Sequence, residues 1–205
     1  MARTDAGRRR RLARAVAPLL LMVAIAGCGN SRTPAPSVYH PLAPAKGFPA
    51  GFHPFAPAGY GFGMEVPKNW TNLQNQVAGP VVMIVASGSA VVAVSHYART
   101  VPPPADSTEL QQDESALLAA VKAKDTAFRL LSSRTLTLAG RPTVELGGLE
   151  RISGQLRRVN SYHLFLPHSE LVLEEYASPA AFGAVNRQVF SHVTTSFVLL
   201  PGSHA

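Results

Sequence analysis

The sequence predicts an α+β fold: an antiparallel sheet of about six to seven strands packed against two main helices, preceded by a signal peptide and a proline-rich tether. Three observations predict it. From residue 60 to 177 short apolar runs alternate with polar positions, and short Gly, Ser or Pro breaks join most of them, which makes consecutive strands antiparallel. Two segments instead repeat apolar residues at helical spacing. With 46% hydrophobic and 15% charged residues the 205-residue chain is too apolar for a disordered composition, and its length fits one domain with appendages.

The first element is the export signal, residues 1–27. Arg8 to Arg14 form a positive stretch, and Ala15 to Gly27 follow without a charge. That apolar run suits a signal core and is too short for a bilayer span, which needs about 20 residues. It ends in Ile25-Ala26-Gly27-Cys28, which resembles a bacterial lipobox. The resemblance implies cleavage between Gly27 and Cys28 and fatty acylation of Cys28. Cys28 is the single cysteine, so an intrachain disulfide and a cysteine-based metal site are excluded. Two acyl chains give stable anchoring where one is marginal. The residues after Arg10-Arg11 fit a twin-arginine signal poorly, which favours general secretion. The expected location is the extracytoplasmic face of the cell membrane, with the membrane itself a partner through the lipid on Cys28.

The formal charge of +7 is mostly the signal's. Residues 1–27 hold six of the nineteen basic residues and one of the twelve acids, leaving the remainder near +2. Its cations are scattered, with Arg157-Arg158 the one adjacent pair, so nucleic-acid binding is not expected.

Residues 28–58 read as a tether. Pro34, Pro36, Pro41, Pro44, Pro49, Pro54 and Pro57 interrupt both helix and sheet. About 30 residues of such a spacer reach up to roughly 90 Å. Phe48, Phe52, Phe55, Tyr60 and Phe62 recur along and just beyond it, either strapped back onto the domain or free to dock a partner. Gly59-Tyr60-Gly61-Phe62-Gly63 lacks the strand-to-helix context of a nucleotide loop.

The globular domain is expected over 59–199, with 200–205 a tail. Phe62, Met64 and Val66 alternate as a half-buried strand, and Pro67-Lys68-Asn69 turns into Trp70. Val81–Ala86 and Ala90–Ala98, split by Ser87-Gly88-Ser89, read as a hairpin. Asp106-Ser107-Thr108-Glu109 is a capping box for a helix whose Leu110, Leu117, Leu118 and Val121 share a face. A less regular stretch, Phe128 to Leu131, leads into Leu136 and Leu138. Gly140-Arg141-Pro142 turns into a strand that Gly147-Gly148 should weaken or bulge. Leu156–Leu166 and Glu170–Tyr176 are two further strands. Ser178 caps and Pro179 opens a final helix with Phe182, Val185, Val189, Phe190, Val193 and Phe197 on its stripe.

Residues 60–198 thereby resemble the PsbP-like fold, and within it the actinobacterial LpqN/LpqT type of exported lipoprotein. The residues that carry the resemblance are the aromatic strand leading into Val66-Pro67-Lys68-Asn69-Trp70, the Leu138-Ala139-Gly140-Arg141-Pro142 turn and the closing Phe182 to Phe197 helix. Asn69 stands where that type often has glycine. The resemblance implies proteins that bind or help assemble others at membranes, without shared catalytic residues.

The chemistry-bearing residues support the same expectation. None of the histidine pairs has the i, i+4 spacing of a metalloprotease helix, and no Gly-x-Ser-x-Gly elbow occurs. His163 and His168 straddle a turn near Glu170, and Glu170 shares a strand face with Glu174, a pair that would need a cleft to act on a sugar. No catalytic residue, metal site or cofactor is expected. Candidate partner or ligand contacts are Trp70, Phe48, Phe52 and Phe55. The expected function is a non-catalytic binding or assembly module of the cell envelope, its partner an envelope protein. The alternative is a carrier of a hydrophobic or lipid ligand, and a third reading is an envelope hydrolase.

Overall fold

The computed structural model describes residues 51–200. The signal peptide, Gly27, Cys28, Phe48 and most of the tether lie outside the described residues. The chain runs through β1 (Phe52–Phe55), β2 (Phe62–Pro67), β3 (Thr71–Asn72), a 3-10 turn at Gln74–Gln76, β4 (Val81–Ser87) and β5 (Ala90–Ala98). Helix α1 (Ser107–Lys124) follows, then β6 (Arg129–Leu138), β7 (Arg141–Ile152), β8 (Gln155–Phe165) and β9 (Ser169–Ala177). The closing helix comprises α2 (Pro179–Val185), a π turn at Asn186–Phe190 and α3 (Ser191–Ser196), and β10 (Val198–Leu199) ends the fold. The strands form a seven-stranded sheet, ordered β3-β4-β5-β9-β8-β7-β6, and a three-stranded one, β1-β2-β10. Every pairing is antiparallel, as the short connections require.

Two-residue links set the register of the large sheet. Ala139 and Gly140 at the β6–β7 link, and Ser153 and Gly154 at the β7–β8 link, all have positive φ. This backbone matches the right-handed twist of the flanking strands. Along each strand alternate side chains then face opposite covers. On one face Val92, Val94, Tyr162, Leu164, Leu171 and Leu173 meet Phe182, Val189, Phe190 and Val193 of the closing helix, together with Phe62, Met64 and Val66 of β2. The π turn is what lets the neighbours Val189 and Phe190 both be buried, because its wider turn changes the rotation per residue. Ser178 caps α2 by accepting from the Ala181 N–H, with Pro179 next, as the sequence predicts.

The opposite face carries two smaller clusters. Leu73 covers Ile84, Ala86, Val91 and Ala93. Helix α1 sets Leu110 against Val144, Leu146 and Phe165, with Leu117 and Val121 partly buried. The capping box forms: the Asp106 carboxylate accepts from the Thr108 and Glu109 N–H groups, and Glu109 Oε2 accepts from the Ala105 N–H.

Three expectations are corrected. The tether does not run to Ala58: β1 pairs with β2 from Phe52, and proline at position 54 is tolerated because β1 is an edge strand. The stretch near Leu130 is already β6, and its register shift between Leu130 and Ser132 explains the broken alternation. Gly147-Gly148 does not interrupt β7; the irregularity falls on the facing strand.

One buried acid sets a measurable property of this core. Glu175, fully buried, accepts from Thr194 Oγ1 at 2.6 Å, and its Oε2 has no partner among the described residues. Burial, opposed by the Thr194 bond and helped by the Glu145 charge, leaves its carboxyl raised to about 8. The folded state therefore holds a proton that the unfolded chain releases near 4.5. Stability from this group is full below about 4.5 and is lost as the pH climbs toward 8. In urea denaturation across that range, Glu175→Gln should remove most of the decline and exceed the parent in stability at pH 8; an unchanged slope refutes the assignment.

Candidate functional site

The α1 face of the large sheet is covered incompletely, and the gap is a cleft of about 310 Å³. Its position follows from the two covers. Leu73 and the 3-10 turn protect the β4 side, and α1 protects the β7 side. Between them β8 and β9 supply a floor: Val159, Ser161 and His163 from one, and Glu170, Val172 and Glu174 from the other. Register puts these in lateral rows, His163 beside Val172 and Ser161 beside Glu174. Leu146 and Glu150 extend the floor onto β7, while Leu117, Ala120, Val121 and Lys124 form a roof from α1. Tyr97, 44% exposed, stands at the side.

Phe128 completes one wall, and Gly148 makes room for it. A Cβ at Gly148 would fall on the Phe128 ring, and one at Gly147 would fall on the Ser132 hydroxyl. The glycine pair is therefore read best as close approach from a neighbouring residue, with no special φ required. At the far end Arg99 ties β5 to α1, with its NH2 2.8 Å from Asp113 Oδ2 and its guanidinium over the Phe165 ring at 4.4 Å.

The lining divides between apolar side chains and polar or charged ones. His163 Nδ1 lies 2.6 Å from Glu170 Oε1, and Ser161 Oγ donates to the Leu146 carbonyl at 3.5 Å. The Glu174 and Glu150 carboxylates make no hydrogen bond among the described residues. Burial pushes the Glu174 carboxyl up, with His163 and Lys124 opposing. Burial also raises Glu150, the Glu174 charge adds to it, and Lys124 again opposes. Both acids thus lose hydration that the nearby cations only partly offset.

The structure brings together part of what the sequence singled out. His163, Glu170 and Glu174 share the cleft; His168 is exposed on the turn and apart from it. Among the described residues no group of three or more His, Cys, Asp or Glu is arranged to hold a metal. The candidate contacts Phe52, Phe55 and Trp70 lie on the other side of the sheet, partly buried against the main core. Phe52 stacks on His192 at 3.9 Å between centroids, and Trp70 meets the Phe190 ring edge-on at 6.3 Å. His96 is half-buried, with the Tyr60 ring 5.6 Å away. Glu150, Lys124, Phe128 and Tyr97 were not singled out from sequence as site residues. Alternation with Leu146 is the signal that could have found Glu150.

No family model matches the chain, and no curated protein matches it by sequence. Solved structures do match. Cyanobacterial PsbP (CyanoP) from Synechocystis sp. PCC 6803 aligns with a TM-score of 0.54 at 12% identity, over 73% of this chain and 93% of that one. The Ran-binding protein Mog1p of Saccharomyces cerevisiae aligns at 0.51 and 10%, over 73% and 96%. LpqN of Mycobacterium tuberculosis, described as involved in cell envelope biogenesis, gives 0.48 and 15%, over 74% and 91%, too distant to carry an argument. At these identities the first two establish the fold alone, and the fold is PsbP-like.

The wall built by Phe128 is testable. Gly148→Ala should lower stability by about 1–3 kcal/mol through overpacking. In a Phe128→Ala background most of that loss should vanish, because the clashing ring is gone. Equal losses in both backgrounds, read by chemical denaturation, would show that the close approach is not the constraint.

Proposed function

We propose that the chain is a non-catalytic binding module of the cell envelope, carried outside the cytoplasm on a lipid at Cys28. The observation that carries the binding half is the cleft: concave, with an apolar strip and several polar and charged groups converging on it, as small-ligand sites have. Its volume is at the low end for such sites, which favours a compact ligand or a side chain of a partner over a two-chain lipid.

The polar groups support binding over turnover. Glu170 and Glu174 are four residues apart on one strand, with Cα atoms about 13 Å apart. His163 is engaged by Glu170, and the Ser161 hydroxyl is turned to the backbone. Ser161 bonds the backbone and not His163, so the two are not set as a nucleophile and its base.

The anchor half rests on sequence. Ile25-Ala26-Gly27-Cys28 follows a short apolar run behind an arginine cluster, and the cysteine is the single one in the chain. The strand, turn and helix features quoted above favour the LpqN/LpqT type of exported lipoprotein. In this reading residues 28–51 remain as the spacer, since β1 belongs to the folded domain.

Intact-mass measurement on the membrane fraction of an actinobacterial host tests the anchor. The mass should correspond to residues 28–205 plus a diacylglyceryl group, and Cys28→Ala should leave a precursor without lipid; a bare thiol on an uncleaved chain overturns it. For the binding half, a photocrosslinker at position 117 should capture a product in intact cells that the same label at exposed position 131 does not. Identical capture from both sites would remove the cleft from the function.

A further inference from the structure

The cleft also indicates the chemistry of what it takes, an inference that rests on the binding reading above. We propose that it binds an alkylammonium group, a short methylene chain ending in a primary ammonium, as offered by a lysine side chain of a partner or by a free aliphatic diamine.

The shape supplies the first argument. Leu117, Val121, Leu146, Val159, Val172 and Phe128 make a slot suited to methylene groups. The charges supply the second. Titratable groups facing the slot come from every element around it: Tyr97 on β5, Lys124 on α1, Glu150 on β7, His163 on β8, and Glu170 and Glu174 on β9. His163 is committed to Glu170 at 2.6 Å. Lys124, exposed at the end of α1, is left to serve both Glu150 and Glu174, and it makes an ion pair with neither. Three carboxylates thus face the slot, with Lys124 the one permanent cation among its lining residues.

Glu174 supplies the third. It projects from the middle of the floor, beside Ser161 and Ala93 in its own row, with no hydrogen-bond donor among the described residues. A part-buried carboxylate in that position gains from a counter-charge, and an ammonium entering the cleft supplies one. An anionic ligand would meet three carboxylates, and a wholly apolar one would leave Glu174 unsatisfied. The ammonium suits the cleft better than a guanidinium, because its small volume favours a compact point charge with three donors over a planar fork. Since burial holds Glu174 toward its protonated form, binding of the cation should expel a proton.

Methyl-resolved NMR on the full chain in detergent, with 1,5-diaminopentane and Nα-acetyl-lysinamide as probes, tests this. Both should shift the Val159 and Val172 methyls, with affinity rising as the pH is raised. Glu174→Gln should weaken binding about tenfold, and Leu117→Trp, which fills the slot from a half-exposed helix position, should abolish it. Stronger binding of the lysinamide assigns a partner's side chain; stronger binding of the diamine assigns a free amine. No methyl shift at 10 mM of either probe at pH 8, or unchanged affinity in both variants, overturns the proposal. If 1-pentanol binds as well as the diamine, the ammonium assignment falls while the binding reading stands.

Discussion

The structure depends on burying one face of the seven-stranded sheet under the closing helix. Leu171 and Leu173 on β9, Leu164 on β8 and Val92 and Val94 on β5 are each almost fully buried there, against Phe182, Val189, Phe190 and Val193. Each large side chain so removed from water contributes roughly 1.5–3 kcal/mol, which makes this interface the largest single source of stability. The small sheet serves the same interface, since Phe62 stacks on Phe197 at 5.4 Å and β2 lies along the helix end. β1 and β10 then flank β2 and satisfy its backbone.

Once that face is closed, the other is free to be incomplete. Helix α1 is mostly solvent-exposed, buries only Leu110 fully and rests on a small cluster at the β7 side. A second cover, built around Leu73, protects the β4 side. Neither reaches the middle of β8 and β9. The cleft is therefore a consequence of layer widths: two narrow covers over a wide sheet leave a strip of floor open. Because stability resides mainly on the opposite face, residues on this strip can be chosen for what they bind.

The sequence made the architecture legible wherever local chemistry decides it. The capping box at Asp106, the hairpin links and the Phe182 to Phe197 stripe each depend on residues within one turn or one strand pair, and each is found in place. β1, β3 and β10 were illegible because they are two to four residues long and exist only through a partner strand. The cleft was illegible for a related reason. Its lining comes from β5, α1, β7, β8 and β9, and no spacing along the chain encodes which cover stops short. Only fragments showed, such as His163 near Glu170 and Glu174 on a shared face. The aromatic residues that drew attention in sequence, Phe52, Phe55 and Trp70, sit by the stable core instead.

The neighbours Glu174 and Glu175 show how the two faces differ in kind. Alternation sends one carboxyl into the cleft and the next into the core. In the core, Glu175 is held by Thr194 of α3 and by a proton, and in that neutral form a carboxyl adds hydrogen bonding to the main interface without a buried charge. In the cleft, Glu174 has no such hydroxyl above it, because α1 presents Leu117, Ala120 and Val121 there. An acid that served only the fold would be expected to find a partner in the fold, as Glu175, Glu145 with Arg134 and Glu170 with His163 all do. Glu174 and Glu150, the two acids of this sheet without a side-chain partner among the described residues, both line the cleft, and that asymmetry is the strongest physical reason to regard the cleft as a site rather than a packing defect.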